Sequence, residues 1–126
     1  MPLEVTISSH ASVPVLHCRG RLLWGPEAAE FDRNFRAVLE SNKQIVLDLA
    51  EVPNIDSGGV GALGTAFMAA HNRNAEIKLA SLSPRVAEVL RITKLEGLFQ
   101  IYASEAEAVE AFQAPATVVT SGAALA

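Results

Sequence analysis

At 126 residues, half of them hydrophobic and 19% charged, the chain has the length of one domain and the composition of an ordered globular fold. Its formal charge is -4 and no Lys/Arg cluster is present, so neither nucleic acid nor an anionic membrane surface is an expected partner. Met1-Pro2-Leu3-Glu4 lacks a basic region followed by an apolar core, and no apolar run approaches the ~20 residues that span a bilayer, so a cytoplasmic protein is expected.

Leu3, Val5 and Ile7 alternate with polar neighbours and predict a half-buried strand. Ser8-Ser9-His10-Ala11-Ser12 is turn-like, and Val13 to Cys18 reads as a second strand that closes a β-hairpin. Cys18 is the only cysteine, cannot form an internal disulfide, and reads as a small buried hydrophobe. Gly20-Arg21 ends the hairpin, Leu22-Leu23-Trp24 forms a short apolar loop, and Gly25-Pro26 opens a helix where the missing proline N–H costs nothing. Ala28, Phe31, Phe35, Val38 and Leu39 make its inner face, and Ser41-Asn42-Lys43-Gln44 stops it.

Ile45 to Leu49 is a short apolar run and predicts a buried central strand. A loop with Pro53 and Asn54 leads to Asp56-Ser57, directly before Val60, Leu63, Phe67 and Met68 at helical spacing. This second helix is expected to run to about His71. Ile77 to Leu82 predicts another strand, and Ser83-Pro84 starts a third helix with Val86, Val89 and Leu90 inward. Gly97-Leu98-Phe99 approaches a last strand, Phe99 to Tyr102, and the capping box Ser104-Glu105-Ala106-Glu107 opens a final helix to Phe112. From Ala114 the chain loses all charge and reads as a flexible tail, which divides it into a domain over 1–113 and a C-terminal tail over 114–126. The element order implies an α/β fold with a mixed sheet of about four to five strands and about four helices packed against it.

Three motifs compete for the strand-to-helix junction. Gly59-Val60-Gly61-Ala62-Leu63-Gly64 matches the dinucleotide fingerprint, yet the next strand ends Leu79-Ala80-Ser81-Leu82 without the acidic residue that a ribose requires. Asp56-Ser57-Gly58-Gly59 matches the tetrapeptide around a chymotrypsin-like nucleophile. Two β-barrels cannot be built from this length, and no orienting carboxylate is evident beside His10 or His17. His71 sits near a helix end, where the dipole suffices as explanation. None of the histidines has metal-ligand spacing with Cys, Asp or another His, so no metal site is expected, and no cofactor motif is present. The third reading is a helix N-cap. A cap explains one hydroxyl or carboxylate, but not Gly58 and Gly59, which are poor helix formers unless something approaches the backbone closely. A phosphate on Ser57 would meet the positive end of the helix and add roughly -1.5 to -2 charges.

With these pieces in order, the chain from about Leu3 to Phe112 resembles a STAS domain of the anti-sigma-factor antagonist family. The residues that carry the resemblance are Ile45 to Leu49, Asp56 to Gly61, Ser83-Pro84 and Gly97-Leu98-Phe99. It implies partner switching: the unmodified antagonist binds an anti-sigma serine kinase, phosphorylation releases it, and a serine phosphatase resets it. Carried over, Ser57 is the phosphoacceptor with Asp56 beside it, and Gly58, Gly59 and Gly61 shape the helix mouth. ATP and magnesium belong to the kinase; the chain itself is expected to be no enzyme and to need no cofactor. Two departures from the family stand out. Gly20-Arg21-Leu22-Leu23-Trp24 replaces an acidic loop, and Gly58 replaces a second hydroxyl residue. The expected partner-binding set is therefore Asp56, Ser57, Gly58, Gly59, Val60, Leu22, Leu23 and Trp24. Leu22, Leu23 and Trp24 read either as an apolar docking patch or, for Leu22 and Trp24, simply as cover for the sheet end. A monomer or weak homodimer is expected. The competing expectations are a STAS subunit of a stress-signalling scaffold or transporter, not switched by phosphorylation, and an enzyme using Ser57 as nucleophile, which lacks a base near it in sequence.

Overall fold

The computed structural model describes residues 3–113, and the predicted tail over 114–126 lies outside them. Ten elements follow one another: β1 (Glu4–His10), β2 (Val13–Arg19), α1 (Pro26–Leu39), β3 (Gln44–Glu51), α2 (Ser57–Asn72), β4 (Glu76–Ala80), α3 (Pro84–Ile92), a 3-10 turn (Leu95–Gly97), β5 (Gln100–Tyr102) and α4 (Glu105–Gln113). The strands form one sheet in the order β1-β2-β3-β4-β5, antiparallel at the hairpin and parallel from β2 onward.

Each strand pairs with the next in sequence, so the parallel crossovers all run in one direction across the sheet. Right-handed crossovers in one direction place every connecting helix on the same face. The core bears this out. Leu16, Cys18, Ile45, Leu47, Leu49, Ile77 and Leu79 point to the face that meets Phe31 and Phe35 of α1, Leu63 and Ala66 of α2, and Val86 and Leu90 of α3. The alternate residues Val13, Val15, Val46 and Ala80 point the other way, where α4 covers them with Ala108 and Val109. Burial on both faces explains why Ile45-Val46-Leu47 reads as a continuous apolar run rather than an alternation.

The hairpin is tighter than the sequence implied. Ser8, Ser9 and His10 are strand residues, paired with Val15, Pro14 and Val13. The turn is only Ala11-Ser12, both at positive φ (53° and 72°). That is the backbone demanded of a two-residue turn matching the twist of its strands, here adopted without the usual Asn-Gly. The predicted strand ending at Leu82 ends at Ala80: Ser81 N–H makes a last bond to Tyr102 O at 3.0 Å, and its positive φ of 62° then turns the chain away. Met68, expected on the inner face of α2, is 54% exposed; Ala66 and Ala70 bury instead.

Candidate functional site

The C-terminal end of β3 and the mouth of α2 are held together by two loops that zip to each other. Gly20 N–H bonds Glu51 O at 3.0 Å, Leu22 N–H bonds Asn54 O at 3.1 Å, and Leu22 pairs with Ile55 as an isolated parallel bridge. Asp56, not Ser57, is the N-cap of α2: its Oδ1 accepts from Gly59 N–H at 2.9 Å. The same carboxylate accepts from Trp24 N–H at 3.0 and 3.1 Å, through both oxygens. One acidic side chain thus pins the helix mouth and the Trp24 loop together. Its charged form is favoured accordingly. The Gly59 N–H, then the Trp24 N–H, hold the Asp56 carboxyl below its ordinary 3.8.

Because Asp56 does the capping, Ser57 is left as the first helical residue, with an exposed side chain. Its hydroxyl makes no hydrogen bond to another of the described residues. Gly58 and Gly59 answer different needs. A Cβ at Gly59 would run into the Leu22 carbonyl oxygen and lie 2.6 Å from Ile55 Cγ1; a Cβ at Gly58 would lie 2.5 Å from Trp24 Cα and 2.9 Å from Trp24 Cδ1. The Trp24 loop and Gly58 are therefore one arrangement. A tryptophan lies over the helix mouth, and the residue beneath it has no side chain.

The predicted partner-binding set divides. Leu22 is fully buried and belongs to the core, so it cannot form part of a docking patch; the pairing with Ile55 turns its side chain inward. Leu23 is half-buried, and its carbonyl accepts from Ala28 N–H at 3.0 Å at the start of α1. Trp24 does not cover the sheet end: it is 79% exposed. Val60 is half-buried against the core and Gly59 is buried. What reaches the surface around Ser57 is Asp56, Ser57, part of Gly58 and the indole of Trp24.

A second constellation was missed altogether in the sequence. On the opposite face of the sheet, His17 of β2 stands directly beside Asp48 of β3 in the parallel register, with Nδ1 3.2 Å from Asp48 Oδ2. Glu105, the first residue of α4, places Oε1 3.7 Å from His17 Nε2 and Oε2 2.8 Å from His10 Nδ1. Ser8 Oγ lies 2.9 Å from His17 Nε2. The expectation that no carboxylate orients His17 is corrected. The separations in sequence (17 to 48 to 105) correspond to no local motif, and only strand register brings the residues together. Cys18, next in the chain, faces the other way into the core. Burial, reinforced by the Asp48 charge, pushes its thiol up to about 12, so it stays protonated and inert. His71 stacks on Phe67, with ring centroids 6.2 Å apart.

A family model described as the STAS domain matches residues 4–108. The chain belongs to the STAS family. A STAS-domain containing protein of Pseudomonas aeruginosa is 31% identical over 101 residues, which cover 80% of this chain and 99% of that protein. Among solved structures, an anti-sigma factor antagonist from Mycobacterium paratuberculosis superposes with a TM-score of 0.79 at 19% identity, covering 89% of this chain and 95% of the other. The Bacillus cell fate determinant SpoIIAA in its phosphorylated form gives 0.68 at 17% identity, covering 86% of this chain and 99% of the other. The five-stranded mixed sheet with four helices is thus the STAS fold. No helix among the described residues is long and apolar enough to cross a membrane.

Proposed function

We propose that this STAS protein is an anti-sigma-factor antagonist that switches partners at Ser57, binding an anti-sigma serine kinase when the hydroxyl is free and releasing it when phosphorylated. The observation that carries the reading is the division of labour at the helix mouth. Asp56 caps α2, and Ser57 stands beside it exposed and without a hydrogen-bonding role among the described residues. A kinase can modify such a hydroxyl without removing a bond that holds the fold. Membership of the STAS family and the likeness to antagonists of known structure, one of them phosphorylated, support it.

The physical consequence of modification follows from Asp56. A phosphate on Ser57 brings roughly -1.5 to -2 charges beside a carboxylate that is already ionised. Both groups want the same N–H donors at the helix mouth, and the Trp24 N–H depends on Asp56 as well. Phosphorylation therefore loosens the Trp24 loop as it changes the surface charge, so charge and indole are altered together at the docking surface. The kinase supplies ATP and magnesium; a serine phosphatase reverses the step.

Intact-mass and tandem mass spectrometry of the protein from its own cells, under several stresses, tests this. The expected result is one phosphate, on Ser57, varying with condition. Kinase capture by the unmodified form and by Ser57→Ala, but not by Ser57→Asp, is expected in parallel. A Ser57 that stays bare under every condition, or a kinase that binds Ser57→Asp as well as the wild type, overturns the switch.

A further inference from the structure

We propose that His17, Asp48 and Glu105, joined by His10, form a binding site for one divalent first-row transition-metal ion, zinc being the ion the donors suit best. The donors are two imidazoles and two carboxylates, drawn from β1, β2, β3 and the first residue of α4. Nitrogen and carboxylate oxygen in that mixture suit zinc, whereas magnesium and calcium prefer oxygen alone.

The geometry is close to what an ion needs. One ligand atom from each of His17, Asp48 and Glu105 lies within 4.8 Å of the others. Bonds of ~2.0–2.1 Å in a tetrahedral zinc site set its ligands roughly 3.3–3.4 Å apart. The His17 Nδ1 to Asp48 Oδ2 separation, 3.2 Å, already has that span, and His10 Nδ1 stands 2.8 Å from Glu105 Oε2. The supporting bonds are also present. Asp48 Oδ1 accepts from Ala50 N–H at 3.0 Å, which fixes the carboxylate and leaves Oδ2 toward His17. With the ion on His17 Nδ1, beside Asp48, the other ring nitrogen, Nε2, keeps Ser8 Oγ as its partner at 2.9 Å. A metal-bound histidine is ordinarily oriented in this way.

Charge gives the second argument. Asp48 and Glu105 are largely shielded, with side chains 14% and 25% exposed, and among the described residues every ionic partner of either is a histidine. The nearby strand cations are committed elsewhere, Arg19 to Glu4 and Glu51, Lys78 to Glu76. Neither carboxylate has an Arg or Lys partner among the described residues, and a divalent ion would supply positive charge in this partly shielded place. The ion would also tie the first residue of α4 to two central strands, on the face that α4 alone covers.

The test uses the full chain without any histidine tag, stripped with a chelator and titrated with zinc chloride against a chromophoric competitor. The expected result is one zinc per chain, with His17→Gln and Glu105→Gln each weakening binding by roughly 10–100-fold or more. Wild-type imidazole proton NMR signals are read in the same titration. Those of His10 and His17 shift as the ion loads, while that of His71, remote on α2, stays still. No uptake at micromolar free zinc overturns the proposal. So does undiminished binding in folded His17→Gln and Glu105→Gln proteins, or a titration that moves His71 and leaves the other two. The NMR result stands on the wild type alone, so a variant that fails to fold does not rescue the idea.

Discussion

The two faces of the sheet solve the same packing problem with different amounts of helix. Three helices cover the face that carries Leu16, Ile45, Leu47, Leu49, Ile77 and Leu79, and the buried strand residues there are apolar. One nine-residue helix covers the other, and apolar residues persist only beneath it: Val13, Val15, Val46 and Ala80. At its first residue and beyond, the strands turn polar, with His17, Asp48, Arg19 and Glu51 lining an open groove. Even beneath it a lysine is buried. Lys78 reaches Glu76 and Gln100 and lies 4.5 Å from the Phe112 ring centroid. A fully covered face leaves room for a site at the strand ends, where the proposed switch at Ser57 lies, whereas a half-covered face can carry polar side chains on the strands themselves.

The sharpest way to break that contrast is to cut matching holes in both faces. Leu47→Ala empties the three-helix side and should cost about 2–5 kcal/mol in urea unfolding with an unchanged m-value. Val15→Ala removes less from a thinner layer and should cost about 1.5–2.5 kcal/mol. Both residues are fully buried. Equal losses would mean that α4 packs its face as firmly as three helices pack theirs, and the contrast would fail.

At the strand ends the two glycines allow a finer cut. Gly59→Ala drives a Cβ into the Leu22 carbonyl, part of the loop-to-loop pairing, and should cost about 1–3 kcal/mol because backbone cannot swing aside. Gly58→Ala runs into Trp24 Cβ and lies 2.5 Å from Trp24 Cα, so the main chain of the loop held by Asp56 must shift; it too should cost about 1–3 kcal/mol, and unlike Gly59→Ala it moves the indole. Trp24 is the only tryptophan, so its fluorescence reports that shift directly. If Gly58→Ala leaves the Trp24 emission unchanged, or Gly59→Ala moves it as far, the assignment of Gly58 to the Trp24 contact and Gly59 to the Leu22 contact fails.

How much of this could be read from the residues follows from the range of the interactions. The central strand, the helices and the Asp56-Ser57 junction were legible because each is written in neighbours two to four positions apart: an apolar run, a 3.6-residue period, a cap before a helix. Asp56 rather than Ser57 as the N-cap was not decided, since either side chain can accept the same N–H. Burial of Leu22 was read but not decided, because Leu22-Leu23-Trp24 shows no alternation, and only the bridge to Ile55 fixes which one turns inward. The His17–Asp48–Glu105 cluster was illegible for a stronger reason. Its separations depend on strand register and on where α4 lands, and neither has a local signature. Lys78 was hidden in the same way, inside a segment whose apolar neighbours are all that a period can register.

The smallest expected effect concerns Asp56, which joins Trp24 to the helix mouth. Its carboxyl titrates below its ordinary 3.8 in the folded chain, chiefly through the Gly59 and Trp24 N–H bonds. A depressed carboxyl contributes stability that is fully present above the unfolded value and lost as pH falls through the lower folded one. Trp24 fluorescence should therefore be flat from neutral pH down to about pH 5 and change only as the pH drops below the ordinary carboxyl range. Asp56→Asn removes the titrating charge but keeps an oxygen that can accept one N–H. Its Trp24 signal should already resemble the acid form at neutral pH, and the acid transition should vanish. A wild-type transition centred above 3.8 would have the wrong sign for a carboxylate held by N–H donors. It would mean that Trp24 responds to another group, and that the helix mouth and the indole are not linked through Asp56. An unchanged transition in Asp56→Asn would lead to the same conclusion, and would remove the route by which a phosphate on Ser57 reaches the indole.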